Sequence, residues 1–172
     1  YRSTLAQYEQ NSYELDRLQK LYELDAQYTD YDKTGARVIS KDTGNWFDVF
    51  YIDKGTDDGL SIGCNVLYGN GLCGIITEIG ADYAKVRSII DDTTNVNATI
   101  LPAQAICNVS GSLTNYADGY LLAENIDKDA DISEGDQVVT SHVSSKYLSG
   151  INIGYIAKIE NDSNNLTKTA YI

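Results

Sequence analysis

The stretch from Gly69 to Gly74, GNGLCG, has the G-x-G-x-x-G spacing with which dinucleotide-binding proteins hold a pyrophosphate. In those proteins the third glycine opens a helix, and the N-terminus of that helix faces the phosphates. Here Gly74 is followed by the β-branched run IITEI and then Gly80, which is too short for such a helix and favours a strand. The stretch therefore predicts a type I′ hairpin turn, with positive φ at Asn70 and Gly71, and no cofactor site.

A second possible ligand set is the run DKDADISEGD. Its acidic residues alternate from Asp127 onward, as in the first half of an EF-hand calcium loop. The sixth position of that loop needs glycine for its turn, and the twelfth needs a bidentate glutamate. Ile132 and Val138 stand at these positions instead. We therefore expect a solvated acidic turn, and neither a metal ion nor a cofactor.

Nucleophilic chemistry would have to come from three cysteines and a single histidine. Cys64, Cys73 and Cys107 have no C-x-x-C spacing and, together with His142, match no zinc site. Buried thiols that act as small apolar side chains are the usual outcome. A Cys107–His142 dyad is conceivable from residue types alone, but no sequence motif around His142 supports it. We expect an exposed surface loop there.

Charge and hydropathy narrow the class of partner. The 172 residues carry a formal net charge of −12, whereas binding to a nucleic-acid backbone needs clustered lysine and arginine. We therefore expect no nucleic-acid partner. The sequence has no apolar run long enough to cross a bilayer, so a membrane anchor is expected to lie outside this segment.

Residues 1–33 are predicted to form a helical segment, because the first 28 residues lack glycine and proline and are rich in helix-forming residues. Apolar side chains recur there at heptad spacing, and polar residues at other core positions would lower stability while fixing the register. We interpret this dimerisation stripe as the end of a coiled coil; a single surface helix is the alternative. The stripe consists of Tyr1, Tyr8, Leu15, Leu18 and Tyr22.

After this helix the periodicity changes to an alternation of apolar and polar residues, interrupted regularly by glycine, asparagine and aspartate. The pattern predicts a mainly β fold, with two tandem small six-stranded barrels over residues 36–104 and 105–172. We expect the last strand of the second barrel to be cut short. Candidate strands of the first barrel are 36–40, 46–52, 64–67, 72–79, 84–90 and 95–101.

Two barrels are predicted because the sequence repeats itself. The segments ARVIS, DVFYI, DDGLSIGCNVL and GIITEIGADYAKV are echoed by AICNVS, GYLLAENI, DADISEGDQVV and GYIAKIENDSNNLTK. Gly63 and Gly135 precede a short strand in each copy. Gly74 and Gly154 open an alternating strand, in which glycine permits a sharp bend or a close backbone approach. The second copy has an insertion, SHVSSKYLSGIN, which is expected to be a loop.

Longer stretches of the sequence point to one family. The segments ARVISKDTGNWFDVFYIDKGTDDGLSIGCNVL, GLCGIITEIGADYAKVRSIIDDTTNVNATI, GDQVVTS and GINIGYIAKIENDSNNLTKTAYI resemble the extracytoplasmic region of the MreC family of rod shape-determining proteins. The resemblance covers residues 36–172. SHVSSKYLSG stands where the family usually has a glycine-rich loop that contains Phe-Pro. The motif and structural residues are Asn45, Trp46, Phe47, Gly55, Gly59, Gly63, Gly71, Gly74, Gly135, Asp136, Thr140, Ser141 and Gly154.

The resemblance implies a non-enzymatic cell-shape scaffold, anchored in the cell membrane by one transmembrane helix outside this segment, with both barrels on the extracytoplasmic side. Such proteins organise the peptidoglycan elongation machinery with MreD, MreB, RodA and penicillin-binding proteins. It also implies a homodimer and leaves open whether higher assemblies form. Two other functions stay open. One is a chymotrypsin-like double-barrel hydrolase, although the first barrel has no histidine; the other is a wall-polysaccharide-binding module that uses exposed aromatic residues.

Overall fold

A computed structural model describes residues 1–41 and 48–172. The motif residues Asn45, Trp46 and Phe47, and the start of the predicted strand 46–52, lie outside the described residues. The chain divides into two compact units, residues 1–35 and residues 36–172. The division falls where the sequence changes from helical to alternating periodicity.

The first unit is built on helix α1 (Arg2–Gln27), which no glycine or proline interrupts. Ion pairs between Glu14 and Arg17 and between Asp16 and Lys20, each at 3.0 Å, join neighbouring turns. Such exposed pairs contribute only about 0.2–0.5 kcal/mol each, and most helix stability in proteins comes from packing of an apolar face. Neither α1 nor any other helix in the described ranges is long and apolar enough to cross a membrane.

The second unit contains two antiparallel sheets, of which the first is formed by residues 38–88. Its strands are β1 (Val38–Lys41), β2 (Val49–Ile52), β3 (Asn65–Tyr68), β4 (Gly71–Ile79) and β5 (Ala84–Ser88). Within the described residues these five strands lie in the order β1-β2-β5-β4-β3. A 3₁₀ turn over Thr56–Asp58 connects β2 to β3.

The second sheet is formed by residues 95–171. Its strands are β6 (Asn95–Leu101), β7 (Ala105–Ser110), β8 (Leu122–Asp127), β9 (Gln137–Thr140), β10 (Asn152–Tyr155), β11 (Lys158–Asn161) and β12 (Thr167–Tyr171). The order is β10-β9-β6-β7-β8-β12-β11. A short helix, α2 (Leu113–Ala117), precedes β8.

The second sheet closes on itself, because β10 and β11 are the two halves of one bent strand. β10 pairs with β9, and β11 pairs with β12 at the other end of the sheet. Between them, the backbone N–H of Ile156 donates to the carbonyl of Asp136 at 2.9 Å, and that of Ala157 donates to the carbonyl of Tyr171 at 2.7 Å. When β10 and β11 are counted as one, the described chain forms a ring of six strands here, as the sequence pattern predicts.

The strand at residues 95–101, which the sequence pattern assigned to the first barrel, belongs to the second sheet. This strand, β6, pairs antiparallel with both β7 and β9. Hydrogen bonding therefore puts the change of sheet within residues 89–94, whereas the sequence pattern put the boundary at residue 104. The mainly β fold with an N-terminal helix and barrel-like domains is nevertheless confirmed.

The internal repeat is visible in the hydrogen bonding. The order β1-β2-β5-β4-β3 of the first sheet returns in the second as β7-β8-β12-β11/β10-β9. Gly63 and Gly135 both have a φ of 92°. The N–H of Gly63 donates to the carbonyl of Ile76 at 2.9 Å, and that of Gly135 donates to the carbonyl of Ile156 at 2.8 Å. These isoleucines lie two residues after Gly74 and Gly154, the other pair of repeated glycines. The motif residue Asp136 accepts from the N–H of Ser133 at 2.8 Å.

Each sheet has an apolar interior that alternate strand residues supply. In β6, Val96, Ala98 and Ile100 are buried, and the residues between them are more exposed. The first sheet buries a cluster around Phe50 and Ile76. Full burial of one such side chain stabilises the fold by about 1.5–3 kcal/mol. The alternation that predicts these strands from the sequence is therefore the same alternation that forms the core.

Candidate interaction surfaces

The predicted dimerisation stripe forms an exposed apolar ridge on α1. Within the helix its exposure runs from 55% at Leu18 to 75% at Tyr22. Leu5 and Leu21 are exposed as well. An exposed apolar ridge on a helix is typical of a surface that another protein covers.

The two sheets of the second unit are joined through the side chain of Asn65, at the start of β3. Its Oδ1 accepts from the backbone N–H of Leu148 at 2.7 Å, and its Nδ2 donates to the carbonyl of Lys146 at 3.3 Å. A further contact lies at Gly71, where a Cβ would come within 3.3 Å of the carbonyl oxygen of Asn152. We call these contacts the inter-sheet junction.

Hydroxyl groups of two motif residues shape the insertion that reaches Asn65. Thr140 and Ser141 are both almost fully buried. The Oγ1 of Thr140 accepts from the N–H of Ile151 at 2.8 Å and donates to the carbonyl of Leu148. The Oγ of Ser141 accepts from the N–H of Val143 at 3.2 Å. These bonds give the motif a structural role.

The insertion is only in part the exposed surface loop that the sequence predicts. His142 and Val143 are exposed, but Tyr147 is buried. Burial raises the pKa of the Tyr147 phenol, and the positive charge of Arg87 in β5 offsets part of that rise. Sequence reasoning missed Asn65, Arg87 and Tyr147, because residues far apart in sequence make these contacts and no local pattern marks them.

The motif glycines occupy turns, strands and close backbone contacts. A Cβ on Gly74 would lie 2.3 Å from the carbonyl oxygen of Arg87, and one on Gly55 would lie 2.3 Å from that of Gly80. Of the two roles expected for Gly74, a sharp bend or a close backbone approach, these distances correspond to the close approach. The remaining motif glycines are Gly59, Gly63, Gly71, Gly135 and Gly154.

The hairpin at GNGLCG is present, but its turn differs from the predicted type. Tyr68 pairs with Gly71, so Gly69 and Asn70 are the central turn residues. Gly69 has a φ of 62°, whereas neither Asn70 nor Gly71 has a positive φ. Positive φ at the first central position alone is the type II′ pattern. The prediction of a type I′ turn is therefore wrong, because strand pairing places the turn one residue earlier, where Gly69 supplies the positive φ.

Two of the three thiols, those of Cys73 and Cys107, are poorly suited to nucleophilic chemistry. Cys107 is buried in β7, and this burial raises the pKa of its thiol to about 12. Burial also raises the pKa of Cys73 to about 11. Because the thiolate is the nucleophilic form, a Cys107–His142 dyad would lack its nucleophile at neutral pH. Across residues 1–41 and 48–172, no three His, Cys, Asp or Glu side chains are placed to hold a metal ion.

Known proteins with similar sequences and folds share one name. The cell shape-determining protein MreC of Listeria monocytogenes is 35% identical over 145 residues, which cover 83% of this chain and 49% of the relative. The chain spans about half the length of the curated relatives that it matches. A solved structure of MreC from Listeria monocytogenes has a TM-score of 0.76 at 32% identity, over 99% of this chain and 83% of that chain.

A more distant solved structure is similar in fold alone. It is a chain of the complex between Penicillin-Binding Protein (PBP2) and MreC from Helicobacter pylori, with a TM-score of 0.64 at 18% identity, over 81% of this chain and 84% of that chain. The family model described as rod shape-determining protein MreC, barrel core, matches residues 38–172, a span that contains both sheets. The chain belongs to the MreC family of rod shape-determining proteins.

Proposed function

We propose that this segment is part of a non-enzymatic cell-shape scaffold. It dimerises through α1 and presents its barrels to proteins that build peptidoglycan outside the cytoplasmic membrane. The dimerisation stripe carries the proposal, because its apolar side chains are exposed along a helix with little packing of its own. A transmembrane helix outside this segment would hold the dimer at the cell membrane.

Burial of the stripe supplies the association energy. Each large apolar side chain moved from water into a helix–helix contact contributes about 1.5–3 kcal/mol before the entropic cost of association is subtracted. Several such side chains on each helix suffice for a reversible dimer. Polar residues at the other core positions, among them Thr4 and Asn11, weaken that dimer but fix the register of the two helices.

The dimer is tested by a pair of tyrosine substitutions on α1. Tyr8 lies in the stripe and Tyr13 lies outside it, and their exposures are similar at 73% and 69%. Tyr8→Glu places a charge in the helix–helix contact, so we expect the dimer dissociation constant from analytical ultracentrifugation to rise about tenfold or more, ~1.4 kcal/mol. Tyr13→Glu makes the same chemical change on the solvent side and should leave the dissociation constant unchanged.

A penicillin-binding protein is the partner that we propose first. Support comes from the Helicobacter pylori complex, in which a protein of the same fold is solved together with PBP2. We propose MreD, MreB and RodA as further members of the assembly. Immobilised segment 1–172 should retain the cognate class B penicillin-binding protein, and a segment unfolded in urea and then captured on the same resin is the control. Equal retention on both resins, or none on the folded segment, would count against this partner.

A further inference from the structure

Strand β1 has an outer edge with which no other strand of the described chain pairs. It pairs with β2 on one side and lies at the end of the first sheet. All of its residues are exposed, including Val38 at 54% and Ile39 at 58%. An apolar edge strand offers backbone donors and acceptors, together with apolar side chains, to an extended segment of another chain.

The second sheet shows how the equivalent edge is covered. β7, the counterpart of β1 in the repeat, pairs with β8 on one edge and with β6 on the other. β6 runs antiparallel to β7 from Val96 opposite Val109 to Ile100 opposite Ala105, and it buries alternate residues. In the described part of the first copy, no strand takes the place of β6 beside β1. The repeat therefore specifies the geometry of an added strand, antiparallel to β1.

The side chains near β1 indicate which types of residue the added strand would contain. A shallow, open groove begins at β1 and extends inward over β2 to the turn before β5, and it combines aromatic rings with two carboxylates. The Oδ1 of Asp53 accepts from the N–H of Arg37 at 2.7 Å, and Asp82 is exposed. Carboxylates next to aromatic faces suit a lysine or arginine, whose charged head pairs with the acids while its apolar stem lies along the rings. The groove is lined by Ile39, Ser40, Tyr51, Asp53, Asp82 and Tyr83.

We propose that the outer edge of β1 is a strand-addition site for an extended segment of a partner protein in which apolar residues alternate with lysine or arginine. The added backbone pairs with Val38–Ser40, and its long basic side chains reach across β1 into the groove. A second copy of β1 is disfavoured as the occupant, because its sequence, VISK, has a single basic residue and does not alternate apolar with basic residues. The proposal rests on the scaffold function only in that a scaffold uses such a surface; it does not need the α1 dimer.

Synthetic peptides test the strand pairing directly. The probe is a fluorescent, acetylated peptide of alternating Lys/Thr and Val residues, titrated with segment 1–172 and followed by anisotropy. One control peptide carries N-methyl groups on alternate backbone amides, which remove strand hydrogen bonds but keep every charge. Another replaces each lysine with glutamate. We expect saturable binding of the probe and at least about tenfold weaker binding of both controls. No binding of the probe, or equal binding of the N-methylated peptide, would overturn the proposal.

Matched charge reversals test the position of the site. Asp82→Lys should weaken probe binding about tenfold, whereas Asp129→Lys, the same change at an exposed position of the turn after β8, should not. If both substitutions weakened probe binding equally, the attraction would be long-range only, and the proposed position of the site would be wrong. If Asp82→Lys weakens self-association of the segment in the absence of peptide, the occupant is a second copy of this chain. The proposal of a separate partner protein would then be wrong. Tyr8→Glu should leave probe affinity unchanged, so failure of the α1 dimer and failure of this site are distinguishable.

Discussion

Two glycines of this chain have opposite surroundings. Gly74 pairs with Ser88 across β4 and β5, and a Cβ there would lie 2.3 Å from the carbonyl oxygen of Arg87. Gly35 stands at the end of the first unit, and a Cβ there would have no other atom within 4 Å. The backbone at Gly74 therefore excludes a side chain, whereas the surroundings of Gly35 leave room for one.

Alanine at these two glycines should have different effects on stability. Gly74→Ala forces β4 and β5 apart, so we expect the free energy of unfolding to fall by about 3 kcal/mol. Gly35→Ala restricts the unfolded chain without a clash and should leave stability unchanged or raise it by about 0.4–1 kcal/mol. Urea denaturation followed by circular dichroism measures both. A Gly74→Ala protein as stable as the parent would contradict the close approach seen here.

The turn at GNGLCG shows what a sequence does and does not reveal about single residues. A hairpin could be predicted here, because glycine and asparagine lie between two runs in which apolar and polar residues alternate. Which residue takes positive φ was not readable, since Gly69, Asn70 and Gly71 can all adopt it. The pairing of Tyr68 with Gly71 makes that choice, and it depends on the register of whole strands.

Among the secondary-structure elements, the β11–β12 hairpin is held by a carboxylate at its turn. Hydroxyl groups of Thr167 and Thr169 donate to Asp162 at 2.5 and 2.6 Å, and the N–H of Asp162 donates to the Thr167 carbonyl at 3.0 Å. The bond from Thr167 and then that from Thr169 lower the pKa of Asp162, and slight desolvation opposes them. The hairpin is therefore most stable when this carboxyl group is ionised.

Removal of one hydroxyl group should make the stability of the hairpin depend less on the ionisation of Asp162. Because the pKa of Asp162 is lower in the folded than in the unfolded protein, its stabilising effect is present above the unfolded-state pKa. That effect is lost as the pH falls through the folded-state pKa. Thr169→Val should raise the pKa of Asp162 toward its usual value, whereas Thr169→Ser should keep it low. Carboxyl NMR titration measures the pKa, and an unchanged value in Thr169→Val would refute the assignment.

Strands were predictable from the sequence, but their neighbours were not. The predicted strand 95–101 coincides with β6, and 72–79 and 84–90 agree closely with β4 and β5. Alternation reports that one face of a strand is buried, and it carries no information about which sheet buries it. β6 was therefore placed with the strands before it in sequence, although its hydrogen bonds go to β7 and β9.

For the barrel unit as a whole, the inter-sheet junction determines how the two sheets respond to stress. Asn65 bonds two backbone groups of the insertion, and Tyr147 from the same insertion lies within electrostatic reach of Arg87. These contacts join β3 and β5 of the first sheet to the loop that follows β9. We therefore expect the sheets to unfold together.

Asn65→Ala tests this coupling. Loss of its two hydrogen bonds to the insertion, and of a third from its Nδ2 to the carbonyl of Gly63, should lower the free energy of unfolding by about 1–3 kcal/mol. Hydrogen exchange should accelerate in both sheets, for example at the amides of Val86 and Val138. Asn161→Ala, at an exposed position of β11, is the matched control and should change stability by less than about 0.5 kcal/mol. Faster exchange confined to the first sheet would show that the sheets unfold separately.

The bent strand β10–β11 affects the order in which the second barrel can fold during synthesis. A ribosome delivers β6 first among the strands of the second barrel, but one of its two neighbours, β9, emerges much later. The ring is complete only when β12 has joined β8 and β11 near the end of this segment. During synthesis, one edge of β6 therefore stays unpaired until β9 has been made. The second barrel is thus a late-folding part of the chain, which cannot close before its last strand has been made.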